Sequence, residues 1–183
     1  MNRDEMLLIA RGYSDHRDRV DRELEPAIID SLKNTPAHLP VLEIGNRTGG
    51  SCVLLMWHAA GRLVLTCDAD SCAPLIEKTA RLLGLQHEHY QMAQKDFVNK
   101  EAWRFTFGFV YFDADHNEQT VVEDMRTIAP YLAKGCILAV DDVDTFKALP
   151  EIEGMEMVDF HVDEGTGFTV QPHGHHFMCW RKL

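Results

Sequence analysis

Residues 107–143 read FGFVYFDADHNEQTVVEDMRTIAPYLAKGCILAVDDV, and this stretch decides the fold. Phe107–Phe112 is a continuous apolar and aromatic run, as a strand buried on both faces requires. Asn117–Leu132 then places Val121, Val122, Met125, Ile128, Ala129 and Leu132 on one stripe, which predicts an amphipathic helix. Lys134-Gly135 ends that helix, and Cys136–Val140 is the next apolar strand. A strand, a helix and a second strand make a crossover unit whose two strands run parallel.

The same alternation continues upstream. Val41–Ile44 reads as a short strand, Gly45–Gly50 as a turn and Ser51–Ala60 as a helix with Gly61 just past its end. Leu63–Cys67 is the next strand. A helix from about Ser71, its expected N-cap, to Leu83 stops at Gly84, and His87–Met92 is a third strand. The first 35 residues are polar and helix-prone, with Leu24, Ile28, Ile29 and Leu32 at helical spacing and Pro26 in a first turn. Downstream, Met155–His161, Gly167–Val170 and Phe177–Arg181 have strand character without a long helix between them, which predicts an antiparallel C-terminal edge. The expected fold class is α/β: a doubly wound, mostly parallel sheet in a three-layer α/β/α arrangement, built as one domain over residues 1–183.

Such sheets bind ligands beyond the carboxyl ends of their strands, where the strand order reverses. Strand one runs into Gly45-Asn46-Arg47-Thr48-Gly49-Gly50-Ser51, a turn in which backbone amides approach a ligand closely and which feeds a helix N-terminus suited to an anion. The spacing is not that of the dinucleotide fingerprint; a plain strand-to-helix turn would also need these glycines. Strand two ends at Asp68, placed either to receive ribose hydroxyls or to serve the first turn of the next helix. After strand three, Asp96 beside Phe97 fits an adenine held by a hydrogen bond and by stacking, or else is a polar loop acid. Strand four ends at Asp113-Ala114-Asp115-His116 and strand five at Asp141-Asp142. Carboxylates brought together at one rim resist ionising together unless a cation joins them, and oxygen ligands suit Mg²⁺. Separate capping and loop acids are the alternative.

Composition bounds the rest. The net charge is −11, which argues against a surface that grips nucleic acid through phosphates. Residues 141–164 alone carry nine acids and one base. The five cysteines, Cys52, Cys67, Cys72, Cys136 and Cys179, are odd in number and contain no CxxC pair. No apolar run is long enough for a signal peptide or a membrane span. A reducing, cytoplasmic setting without membrane or nucleic-acid partners is expected. The cluster His173-Gly174-His175-His176 reads as an exposed turn rather than a metal site, and Trp57, Trp103 and Trp180 read as core.

With VLEIGNRTGGS at 41–51 and the 107–143 stretch on the page, the chain resembles class I S-adenosylmethionine-dependent methyltransferases, and most of all their small, often metal-dependent O-methyltransferase-like branch. The resemblance covers about residues 40–145. It implies a Rossmann-like fold in which Glu43, Gly45 and Gly49 hold the methionine part of the cofactor and Ser51 touches its carboxylate. It further implies that Asp68 binds the ribose, that Asp96 and Phe97 flank the adenine, and that Asp113 lies at the cofactor–substrate boundary. In metal-dependent members the equivalents of Asp113, Asp141 and Asp142 hold a divalent cation. This chain has Asp141-Asp142 where many relatives have Asp-Asn, and it offers His116 where some have a lysine base. The expected reaction is O-methylation of a small hydroxylated acceptor, with Asp113 and His116 as catalytic residues and His116 as general base. Two readings compete: a non-catalytic S-adenosylmethionine- or nucleotide-binding protein acting as a partner or regulatory subunit, and a metal-dependent hydrolase using the Asp/His rim. Edge strands near the C-terminus leave a homo-oligomer open.

Overall fold

The structure is a computed structural model that describes residues 2–13, 25–47, 49–59, 61–70, 73–113, 117–141, 143, 146–148, 150–158 and 178–183. In chain order the elements are α1 (Arg3–Tyr13), α2 (Glu25–Lys33), β1 (Val41–Ile44), α3 (Gly50–His58), β2 (Val64–Asp68), α4 (Ala73–Leu83), β3 (His87–Gln91), α5 (Gln94–Lys100), β4 (Phe107–Phe112), α6 (Glu118–Ile128), β5 (Leu132–Val140), β6 (Met155–Val158) and β7 (Met178–Lys182). The strands form one sheet in the order β3-β2-β1-β4-β5-β7-β6. β1 to β5 pair in parallel, and β7 runs antiparallel between β5 and β6. The mostly parallel, doubly wound sheet with an antiparallel C-terminal edge is therefore present. The strand order reverses between β1 and β4, which creates the switch point.

Period-two alternation assigns the central strands to two cores. Val41, Val64, Phe109, Tyr111, Ile137 and Ala139 face a layer that holds Met6 of α1, Ile28 of α2 and Leu54 of α3. Leu42, Ile44, Leu65, Val110, Phe112, Leu138 and Val140 face Phe97 of α5 and Met125 of α6. α1 and α2 are fastened to α3 through Glu25, which is fully buried. Arg3 donates to its two oxygens at 3.1 and 2.5 Å, and His58 Nε2 lies 3.0 Å from Oε1.

Several sequence expectations change. α6 ends at Ile128 and Leu132 already belongs to β5, because Pro130 closes the helix with a short 3₁₀ turn, Ala129–Tyr131. Lys134-Gly135 lies within β5 rather than between elements, with Gly135 at φ 78 and a register shift opposite Phe107 and Phe109. α5 occupies a segment read from the sequence as loop. Trp103 is 62% exposed, not core, and donates its ring N–H to the Lys100 carbonyl at 2.8 Å. The cysteines Cys52, Cys67, Cys136 and Cys179 are free and buried. Burial pushes the thiols of Cys67 and Cys136 up to about 12, the state of inert structural thiols. Ser71, Cys72, residues 167–170 and His173, His175 and His176 lie outside the described residues.

The amino ends of the strands are closed by a buried guanidinium. Arg62 donates to the Leu39 carbonyl at 2.6 Å and to the Thr35 hydroxyl at 3.1 Å. A methyl group at Gly108 would lie 2.5 Å from Arg62 Nη2 and 2.8 Å from the Pro36 carbonyl oxygen. Gly108→Ala is therefore expected to cost about 2–3 kcal/mol by overpacking, measured by urea unfolding. A loss well under about 1 kcal/mol would mean that the 35–39 loop yields freely.

Candidate active site

The register carries four residues to one row at the carboxyl rim. Ile44 pairs with Cys67 on one side and Phe112 on the other, and Phe112 pairs with Val140. The next residue along each strand is thus Gly45, Asp68, Asp113 and Asp141. Three backbone hydrogen bonds carry the ladder into this row: Gly45 N–H to Cys67 O at 2.8 Å, Asp113 N–H to Ile44 O at 2.8 Å and Asp141 N–H to Phe112 O at 2.9 Å. Asp113 and Asp141 stand on adjacent strands, whose spacing is about 4.8 Å, and both are half-buried.

Two rows deeper, Glu43 is fully buried. Its Oε1 accepts the Ser51 hydroxyl from the first turn of α3, while its Oε2 has no hydrogen-bond partner among the described residues. Burial, reinforced by Asp68, pushes the Glu43 carboxyl up to about 8, against the lowering effect of hydrogen bonds from Ser51 and Cys52. Beside it, Tyr111 is fully buried and donates to Asp141 Oδ2 at 2.9 Å. Burial first, then the charges of Asp113, Asp141 and Glu43, hold its phenol well above the ordinary range, so it acts as a fixed donor.

The turn after β1 is tight. Gly45 and Gly49 both have φ 89, and Arg47 takes φ 31. Asp68 braces this turn: its Oδ2 accepts the Arg47 amide at 2.7 Å and its Oδ1 the Asp70 amide at 2.8 Å. Each carboxylate oxygen retains a lone pair for a further donor. Gly49 N–H donates to Asn46 O at 2.5 Å and closes the turn. Asn46 is only 2% exposed, and neither Nδ2 nor Oδ1 has a hydrogen-bond partner among the described residues.

The two residues expected to flank the adenine differ in exposure. Asp96, in the first turn of α5, pairs with Lys100 Nζ at 2.6 Å. Phe97 is fully buried and packs edge-on against Tyr90, with ring centroids 5.0 Å apart. A ring with no exposed face packs in the core. Asp142, Asp115 and His116 lie outside the described residues. Among the described residues no group of three His, Cys, Asp or Glu side chains is set to hold a metal ion. Sequence reasoning missed Tyr111 and Asn46. The signal for Tyr111 was a phenol inside a doubly buried strand, which must find a partner for its hydroxyl. Asn46 gave no signal, since burial of a turn side chain is a tertiary property.

Residues 42–143 match a family model described as a methyltransferase domain. No curated protein matches the chain. Among solved structures, cofactor-bound Rv0187 from MTB is 17% identical, with a TM-score of 0.65 over 97% of this chain and 88% of that one. The O-methyltransferase TomG from Streptomyces achromogenes, solved with SAM, is 17% identical, with a TM-score of 0.67 over 100% and 91%. MycE, a methyltransferase of the mycinamycin pathway solved with Mg, SAH and mycinamycin VI, is 16% identical, with a TM-score of 0.54 over 79% and 45%.

Proposed function

The chain belongs to this methyltransferase-domain family, and from that membership we propose that it moves the methyl group of S-adenosylmethionine to a hydroxyl oxygen of a small acceptor. The observation that carries the reading is the buried Glu43 carboxyl, one oxygen of which lacks a partner beside the glycine turn at the switch point. An acceptor of that kind fits the ammonium of an amino-acid-bearing cofactor. The α3 N-terminus fits its carboxylate, and the remaining lone pairs of Asp68 fit the ribose hydroxyls.

Methyl transfer from a sulfonium is an in-line displacement: the acceptor oxygen gains the methyl, the sulfur leaves as a thioether, and the hydroxyl proton must go to a base. The rim aligns the acceptor against the methyl, with Asp113 at the boundary between the two ligands. His116, three residues beyond Asp113, is the proposed general base. Asp113, Asp141 and Asp142 would supply hard oxygen donors of the kind that suits Mg²⁺, which when bound lowers the pKa of an acceptor hydroxyl. The Tyr111 hydrogen bond fixes the rotation of the Asp141 carboxylate, as partners behind a metal ligand do. The presence of Mg in the MycE structure supports this reading.

The test is calorimetry with S-adenosylhomocysteine, with and without Mg²⁺, followed by turnover assays against a panel of phenols and alcohols. Binding and turnover are expected, and Asp141→Asn should lower turnover at least about tenfold. Turnover unchanged by both EDTA and Asp141→Asn would exclude the metal. Binding without turnover on any acceptor would make the chain a cofactor-binding protein, and absence of binding would end the methyltransferase reading.

A further inference from the structure

β3 closes one side of the sheet and, among the described residues, pairs only with β2. Its five residues, HEHYQ, include one aromatic side chain and no aliphatic one. Little apolar area therefore holds it in place. What it offers β2 instead is polar. Val64 opposes His87 and Thr66 opposes His89, so all four side chains share one face, where Val64 joins the core that holds Ile76 and Ala80 of α4. Thr66 is fully buried there, and its hydroxyl oxygen lies 2.9 Å from His87 Nε2 and 2.9 Å from His89 Nδ1.

A hydroxyl has one proton, so at most one of these nitrogens accepts it and the other must donate. Two neutral rings of opposite tautomer meet that demand. A proton added to the accepting ring sets an N–H against the O–H and costs that bond. A proton added to the donating ring goes to its outer nitrogen. The outer nitrogens, His87 Nδ1 and His89 Nε2, are buried and have no hydrogen-bond partner among the described residues, so the new N–H meets no acceptor. Burial, reinforced by His89, pushes His87 down to about 4 from an ordinary 6.5. Burial also lowers His89, against the opposing charges of Asp68 from β2 and Glu77 from α4. Glu88, the remaining charge of β3, falls on the other face of the strand.

We propose that these two imidazoles on one hydroxyl form an acid-released latch, which holds β3 on the sheet while both rings are neutral and frees it when either takes up a proton. Release uncovers the outer border of β2, the strand that ends at Asp68. The latch is a property of the fold and stands independently of the methyl-transfer reading. Between about 4 and 6.5 the freed strand binds a proton at His87 that the closed strand refuses, so closure is complete above 6.5 and weakens as pH falls toward 4. At pH 5, His87 alone should favour opening about thirtyfold more than at pH 7.5.

Amide hydrogen exchange at pH 5 and pH 7.5, corrected for the intrinsic rate at each pH, tests this. In wild type, the amides that join β3 to β2 should lose protection by about thirtyfold at pH 5, and should then open at a lower free energy than those of β4 and β5. His87→Gln combined with His89→Asn keeps a polar side chain for Thr66 but cannot ionise, so its protection at this edge should be the same at both pH values. If the double variant does not fold, His87→Gln alone should remove most of the shift. Unchanged protection in wild type would overturn the proposal. So would an equal loss in the variant, which would assign the acid effect to Asp68 or Glu77. A β3 edge that opens at pH 5 with the same free energy as β4 and β5 would mean that the sheet yields as one unit, and the latch would fall.

Discussion

Glu43→Gln should make the ligand-free protein more stable than wild type in alkaline solution and nearly equal to it in acid. The Glu43 carboxyl stands at about 8 in the fold, against an ordinary 4.5. Between those values the folded chain keeps a proton that the unfolded chain has lost, so stability falls as pH rises. The contribution of the protonated carboxyl is complete below about 4.5 and is lost as pH climbs through about 8. Glutamine keeps an oxygen for Ser51 and cannot ionise. The gap between variant and wild type should therefore open from near zero at pH 4.5 to something on the order of 5 kcal/mol above pH 8. Urea unfolding of both proteins across that range measures it. A saturating amount of S-adenosylhomocysteine should narrow the gap, because its ammonium compensates the ionised carboxylate of wild type only. A gap that does not vary with pH would mean that Glu43 ionises normally inside the fold, and the argument for a cationic ligand there would fall.

The second large effect is at Gly49. Its φ of 89 is a backbone conformation that side chains rarely adopt. A Cβ there would also lie 2.6 Å from Ile76 Cδ1 and 2.8 Å from its Cγ1. Ile76 is fully buried and β-branched, so it has little freedom to withdraw. The conformational strain is about 1–2 kcal/mol and the overpacking about 1–3 kcal/mol. Gly49→Ala should thus cost about 2–5 kcal/mol in urea unfolding and weaken S-adenosylhomocysteine binding, since the turn is displaced. Adding Ile76→Val removes Cδ1 but keeps Cγ1, so it should recover part of the overpacking share and leave the strain, which a double-mutant cycle resolves. Full recovery would show that the backbone conformation at residue 49 carries no strain.

The sheet was legible because four of its strands are short, mostly apolar runs, three of which stop at acids. Val41–Ile44, Leu63–Cys67, Phe107–Phe112 and Cys136–Val140 lie within or at the edge of β1, β2, β4 and β5. In-register parallel pairing then turned those run endings into one rim, which is why Asp68, Asp113 and Asp141 share a row with Gly45. α5 was not legible. Its sequence QKDFVNK holds only two apolar residues, and it is fixed by burial of Phe97 and Val98 and by a 2.7 Å hydrogen bond from Gln94 to Asp124 of α6. The same tertiary packing buries the Phe97 ring in the core beside the exposed Asp96. The unpaired atoms of Glu43 and Asn46 have no sequence signature, because the composition of a turn does not reveal what its neighbours leave unpaired.

The position of β7 has a consequence for synthesis. Residues 178–182 are inserted between β5 and β6, and they are the last strand of the sheet in chain order. Until they leave the ribosome, β5 has no neighbour on its outer side, and Cys136–Val140 is an apolar stretch buried along its whole length in the finished sheet. A growing polypeptide therefore carries an open, sticky border through some forty codons of translation, a count set by the distance from residue 140 to residue 178. At a synthesis rate of about 5–20 residues per second, that exposure lasts seconds. The antiparallel strand that ends the fold is thus also the closure that stops neighbouring nascent chains from pairing with one another.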